Sequence, residues 1–175
     1  ITGTPGFSRS GLEVEGKVLG QMSTVNGGWA GHGHVSFKSP KWGALTNVTR
    51  REFGELRMGS WRAHGDSLWG RVPFLVDRIG GRDTLVVNSD PDRQSPTGYD
   101  QWDFQQRFRS KLSRGYVDIN VQHSTTSEVP RFDVFNDRAN GLQKWAEWNY
   151  GPQKRTLVAT TSVSYTHLRA HETIA

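Results

Sequence analysis

The chain has 175 residues, a formal net charge of +5, seven tryptophans and no cysteine. The missing cysteine excludes a disulfide framework, a thiolate metal site and a cysteine nucleophile, and no stretch reaches the roughly 18 apolar residues of a membrane span. The positive balance favours anionic partners such as an acidic polysaccharide, with nucleic acid not excluded. The charge is scattered, however, and densest only at Arg107, Arg109, Lys111 and Arg114.

Turn residues punctuate the chain at roughly the eight-to-twelve-residue spacing of an all-β sandwich or barrel. Leu12 to Val18 alternates apolar and polar residues and predicts a half-buried strand. His32 to Lys38 predicts a second, with His34, Ser36 and Lys38 opposite Val35 and Phe37. Trp42 to Val48 and Arg51 to Met58 are the third and fourth. Ser67 to Val76 sets Leu68, Gly70, Val72, Phe74 and Val76 against Trp69, Arg71 and Leu75, with Pro73 marking an edge or a bulge. Thr84 to Asn88 is a short apolar strand, and Asp90 to Gly98 reads as a loop. Phe104, Phe108 and Leu112 recur at i, i+4 and i+8, which predicts one helix over Gln101 to Leu112. Asp100 would cap it and Gly115 would end it. Strands resume at Tyr116 to Gln122, Phe132 to Phe135 and Arg155 to Thr160. With no repeat and no linker, the expected architecture is an antiparallel two-sheet β-sandwich or jelly roll with one short helix.

Both ends bear on the domain boundaries. The chain opens at Ile1 on small, polar residues, without the basic and apolar regions of a signal peptide. Val163 to Thr173 resembles, codon by codon, the translation of a transposase sequencing adapter. The expected division is therefore an incomplete single β-sandwich domain over 1–162 and a non-native tail over 163–175, which removes His167 and His171 from the functional inventory.

Several constellations could carry chemistry. His32-Gly-His34 places two imidazoles on one strand face, as double-histidine metal sites require, but Val35 to Ser39 supplies no carboxylate ligand, so no metal is expected. Asp66, Asp77 and Asp83 flank the Ser67 to Val76 strand, and no spacing selects a glycosidase pair among them. Asp90-Pro-Asp92 reads as turn chemistry rather than a calcium loop. There is neither a nucleophile elbow nor a phosphate-binding Gly-Lys-Ser/Thr.

Arg50-Arg51-Glu52-Phe53-Gly54-Glu55-Leu56-Arg57 would put Arg51, Phe53, Glu55 and Arg57 on one face of a strand, either as an ion-pair ladder or as a cradle for a carboxylate. Arg51-Glu52 with Glu55-Leu56-Arg57, Leu68-Trp-Gly-Arg-Val-Pro-Phe74 and Val121-Gln122-His123 resemble three motifs of the β-jelly-roll polysaccharide lyases. This resemblance implies β-elimination at a uronate without a cofactor. Arg51 or Arg57 with Gln122 would neutralise the substrate carboxylate, Glu55 and Trp69 would line the substrate site, and His123 would take the proton. A tyrosine hydroxyl would protonate the leaving oxygen; Tyr116 and Tyr150 are the candidates, without a motif around them. The chain departs from the family in placing Gln122 next to His123, which sends them to opposite faces of a regular strand.

Two other classes fit the composition. A virion structural protein, a capsid jelly roll or a phage tail component, would self-assemble; Arg114 to Val121 followed by Glu128-Val-Pro130 resembles capsid strands of picorna-like viruses. A non-catalytic carbohydrate-binding module would expose Trp61, Trp145 or Trp148 as stacking platforms. Compartment stays open, with a secreted or virion setting favoured over a membrane one.

Overall fold

A computed structural model describes residues 3–59, 61, 65 and 70–165, without the side chains of 135 and 136. Among the described residues fourteen strands run in chain order: β1 (Glu13–Met22), β2 (Trp29–Lys38), β3 (Trp42–Phe53), β4 (Leu56–Arg57), β5 (Phe74–Ile79), β6 (Arg82–Val87), β7 (Arg93–Gln94), β8 (Tyr99–Leu112), β9 (Gly115–Thr126), β10 (Val129–Pro130), β11 (Arg138–Ala139), β12 (Leu142–Gln143), β13 (Asn149–Tyr150) and β14 (Lys154–Ser164). One 3₁₀ turn, η1, covers Phe132–Asn136. The protein is all-β and sandwich-like in its patterning. Its centre is a six-stranded antiparallel sheet ordered β1-β2-β3-β8-β9-β14, accompanied by four two-stranded pairs.

Alternation gives this sheet two unlike faces. One carries His32, His34, Asn47, Thr49, Arg51, Gln101, Asp103, Gln105, Arg107, Arg109, Asp118, Asn120, Gln122, Ser124 and Arg155, which the strand registers set side by side. The other carries Val14, Val18, Met22, Val35, Phe37, Trp42, Val48, Trp102, Phe104, Phe108, Val117, Ile119, Val121 and Val158. The apolar face is the open one: Val18 is 85 % exposed, Met22 86 % and Phe108 39 %. By contrast Ser36, Leu45, Asn47 and Asp118 on the polar face are buried.

The two ends of the sheet differ as well. At one end short turns join β2 to β3 and β8 to β9. At the other lie the β1–β2 loop and two long excursions, residues 54–98 between β3 and β8 and 127–153 between β9 and β14. The excursions meet each other where Val72, Phe74 and Leu85 face Phe132, Arg138 and Gln143. Residues 3–8 lie on the polar face at the short-turn end. Pro5 is fully buried there, the Arg107 guanidinium donates to the Gly3 carbonyl at 3.3 Å, and Lys111 Nζ stands 4.5 Å from the Phe7 ring centre. Gly43 makes this approach possible, since a Cβ there would sit 2.4 Å from the Gly6 carbonyl oxygen.

Four expectations change. Gln101 to Leu112 is not a helix but part of β8, because a spacing of four is also even, so Phe104, Phe108 and Leu112 fall on one face of a strand as readily as on a helical stripe. Gly115 accordingly opens β9 instead of ending a helix. The strand expected over Arg51 to Met58 breaks at Gly54 and Glu55, where the chain passes the β1–β2 loop so closely that a Cβ on Gly54 would lie 2.1 Å from the Asn26 carbonyl oxygen. Phe132 to Phe135 forms η1, and the strand expected from Ser67 begins at Phe74, with Ser67 to Trp69 outside the described residues. At the far end β14 continues through Val163 and Ser164, opposite Tyr116 and Gly115. Such backbone pairing asks little of side-chain identity.

Candidate functional site

An open depression of about 260 Å³ lies on the polar face, lined by His32, Asn47, Thr49, Arg51, Asp103, Gln105, Gln122, Ser124 and Arg155. Five strands contribute, each through alternate residues that the antiparallel registers bring into rows. His32, Thr49, Asp103, Ser124 and Arg155 form one row; His34, Asn47, Gln105 and Gln122 form the next. A second open depression continues past Asp103, Ser124 and Arg155 towards Tyr99, Gln101, Thr126 and Lys154.

Hydrogen bonds fix much of this surface. Asn47 Nδ2 donates to Gln105 Oε1 at 2.9 Å, and Gln105 Nε2 to Asn120 Oδ1 at 3.0 Å. Asp103 accepts from Ser124 Oγ at 2.7 Å and from Gln101 Nε2 at 2.9 Å, and pairs with the Arg51 guanidinium. Its partial burial alone would raise the carboxyl pKa. The hydrogen bonds from Ser124 and Gln101 and the charge of Arg51 outweigh that and hold it below the usual value. Asp103 is therefore an ionised anchor for Arg51 and unsuited to giving up a proton. Arg155 reaches the same surface exposed, with no acidic partner among the described residues.

The histidines of the first motif share this face, ring centres 6.1 Å apart. His32 Nδ1 is hydrogen-bonded to Thr49 Oγ1 at 2.7 Å, while His32 Nε2 and His34 Nδ1 are buried atoms without a partner. Burial, and then the neighbouring positive charges of His34, Arg51 and Lys17, lowers the His32 pKa, so the ring is neutral at neutral pH. Among the described residues no set of three His, Cys, Asp or Glu side chains is placed to hold a metal ion.

The residues singled out by the lyase resemblance are spread over the molecule. Arg51 and Gln122 both line the depression, two strands apart. His123 borders it, but alternation turns its ring to the apolar face, where Nδ1 lies 2.9 Å from Thr156 Oγ1. Glu55 sits in the first excursion, accepting from the Thr97 backbone N–H at 2.9 Å and the Thr97 hydroxyl at 3.2 Å. Arg57 is on β4 and pairs with Asp90. The single-face cradle expected from Arg51 to Arg57 does not form, because the break after β3 carries Glu55 and Arg57 away from Arg51. Tyr116 stands at the short-turn end of the sheet, its ring centre 4.4 Å from the Arg109 guanidinium carbon. Tyr150 is on β13, half exposed. Trp69 lies outside the described residues. Of the tryptophans considered as platforms, Trp145 and Trp148 meet edge to face at 83°, which offers no common plane, and Trp61 is exposed.

Arg155, Asn47, Gln105 and Asp103 escaped the reading of the sequence. For Gln105 and Asp103 the signal was present in β8, whose odd positions Gln101, Asp103, Gln105, Arg107 and Arg109 are all polar. It becomes visible only when the segment is read with a period of two. Comparison with protein-family models, curated proteins and solved structures finds no match for the chain. Any functional reading therefore rests on this surface.

Proposed function

We propose that the chain binds an acidic polysaccharide along the polar face of its six-stranded sheet. The observation that carries this reading is the exposed Arg155, without an acidic partner among the described residues, on one open surface with Gln, Asn and His side chains. Amide side chains both donate and accept, as a hydroxyl-rich chain requires, and a guanidinium matches a sugar carboxylate with two parallel donors. The two adjoining depressions are open along the strands, a shape suited to a polymer. Calorimetric titration with oligomers of uronic acids, against neutral oligomers of equal length, tests the proposal. Saturable binding of the uronates that weakens in Arg155→Ala supports it; equal or absent binding of both sets refutes it.

A further inference from the structure

We infer that two copies of this chain pair edge to edge through β1 and make one continuous sheet. Among the described residues β1 ends the six-stranded sheet, and all of its residues are exposed. Which of its backbone groups are free follows from the ladder. The Ser23 N–H donates to the Gly28 carbonyl at 2.8 Å, one position past the last β1–β2 pair, Met22 with Trp29. Hydrogen-bonded and non-hydrogen-bonded pairs alternate along antiparallel strands. Glu13, Glu15, Lys17, Leu19 and Gln21 therefore bond to β2, while Val14, Gly16, Val18, Gly20 and Met22 turn their N–H and C=O groups outward. Such a row of unpaired groups is a template for a further strand.

The residue order along β1 points to β1 of a second copy as that strand. Val14-Glu15-Gly16-Lys17-Val18 is self-complementary about Gly16, as an isologous dimer requires. A two-fold axis at Gly16, perpendicular to the sheet, sets the two strands antiparallel. Gly16 then faces Gly16, Val14 faces Val18 and Glu15 faces Lys17, the last two matches being repeated by the symmetry. The outward groups of Val14, Gly16 and Val18 close roughly six backbone hydrogen bonds. Glu15 and Lys17 fall at non-hydrogen-bonded positions, where side chains come closest and opposite charges stabilise the pair. Glu15 has room for this second partner: it meets Lys38 of its own chain at 3.1 Å, yet its side chain stays 67 % exposed. Charge also selects the register. Moving the axis to Glu15 or to Lys17 sets two glutamates or two lysines face to face. An axis between two residues opposes outward backbone groups to inward ones and bonds neither. The axis at Gly16 keeps both polar faces on the same side of the joined sheet, so the pairing neither needs nor blocks the proposed saccharide surface.

Sedimentation velocity of the whole chain over a concentration series, with two charge-reversed variants, tests the pairing. The unaltered chain is expected to form a concentration-dependent dimer that added salt weakens. Glu15→Lys and Lys17→Glu should each be monomeric, because each sets like charges opposite one another. An equimolar mixture of the two variants should dimerise again, since one then carries only positive and the other only negative charge at the two positions. Both side chains are exposed, so the far-ultraviolet circular dichroism of each variant should match that of the unaltered chain. Recovery on mixing is a result that misfolding of either variant does not produce. A chain that stays monomeric at every concentration overturns the inference. So does a dimer that persists unweakened in either variant, because association would then run elsewhere, and so does a mixture that stays monomeric.

Discussion

Gln122 and His123 are consecutive on β9 and serve opposite faces of the sheet. Gln122 stands beside Gln105 on the polar face, and the His123 ring meets Thr156 on the apolar one. A strand cannot present adjacent side chains to one ligand unless a bulge intervenes, and β9 pairs continuously with both β8 and β14. Gln122→Ala should thus weaken uronate binding by about 1 kcal/mol, roughly fivefold, the contribution of one neutral hydrogen bond. His123→Ala should leave affinity unchanged. Isothermal titration of both variants checks the contrast, and a larger loss for His123→Ala would contradict the face assignment.

Arg51 and Arg155 should behave differently although both face the depression. Arg155 has no acidic partner among the described residues, so Arg155→Ala should cost about 1 kcal/mol of binding and little stability. Because the contact is exposed, the loss should shrink as salt is raised. Arg51→Ala should also strip Asp103 of its counter-charge and lower the urea midpoint. Titrations at low and high salt, paired with urea curves, separate the two.

Asp118 is 4 % exposed and takes both Arg107 Nε at 2.8 Å and Arg109 Nε at 2.9 Å. Asp118→Asn leaves two guanidinium groups crowded around a neutral amide, and breaking such a buried cluster should cost about 3 kcal/mol. Urea unfolding at neutral pH gives the value directly.

The same carboxylate sets an acid limit. Burial alone would raise the Asp118 pKa, but hydrogen bonds and charge from Arg107 and Arg109 lower it in the folded chain, as Asp103 is lowered by its own partners. A folded value below the unfolded one means that this stability is fully present above about pH 4, the unfolded carboxylate range. It is lost as pH falls through the folded values. The urea midpoint should therefore drop steeply below pH 4, and less steeply in Asp118→Asn.

His32 acts in the same direction at milder pH. Its folded pKa is lowered, so between that value and about 6.5 the unfolded chain binds the proton more readily. Stability should decline as pH falls from 6.5 through that window, and His32→Gln should flatten this part of the profile. Thermal melts across the range read the difference.

The residue order by itself determined the class of structure and the two-faced character of its strands. Tyr116 to Gln122 alternates so regularly that its apolar and polar sides could be assigned without coordinates, because β geometry sends successive side chains to opposite sides. It also showed that Gln122 and His123 would diverge. The segment from Gln101 to Leu112 was ambiguous for a physical reason: a four-residue spacing satisfies both the helical stripe and the strand, and only pairing with β3 and β9 along its length selects the strand. Tertiary structure alone decided that Arg51 parts from Arg57, since the break at Gly54 follows from a close approach to Asn26, remote in sequence. It alone brought Arg155 into one row with Ser124, Asp103, Thr49 and His32, because a row across a sheet joins residues by register, and register between distant strands is written in no local spacing.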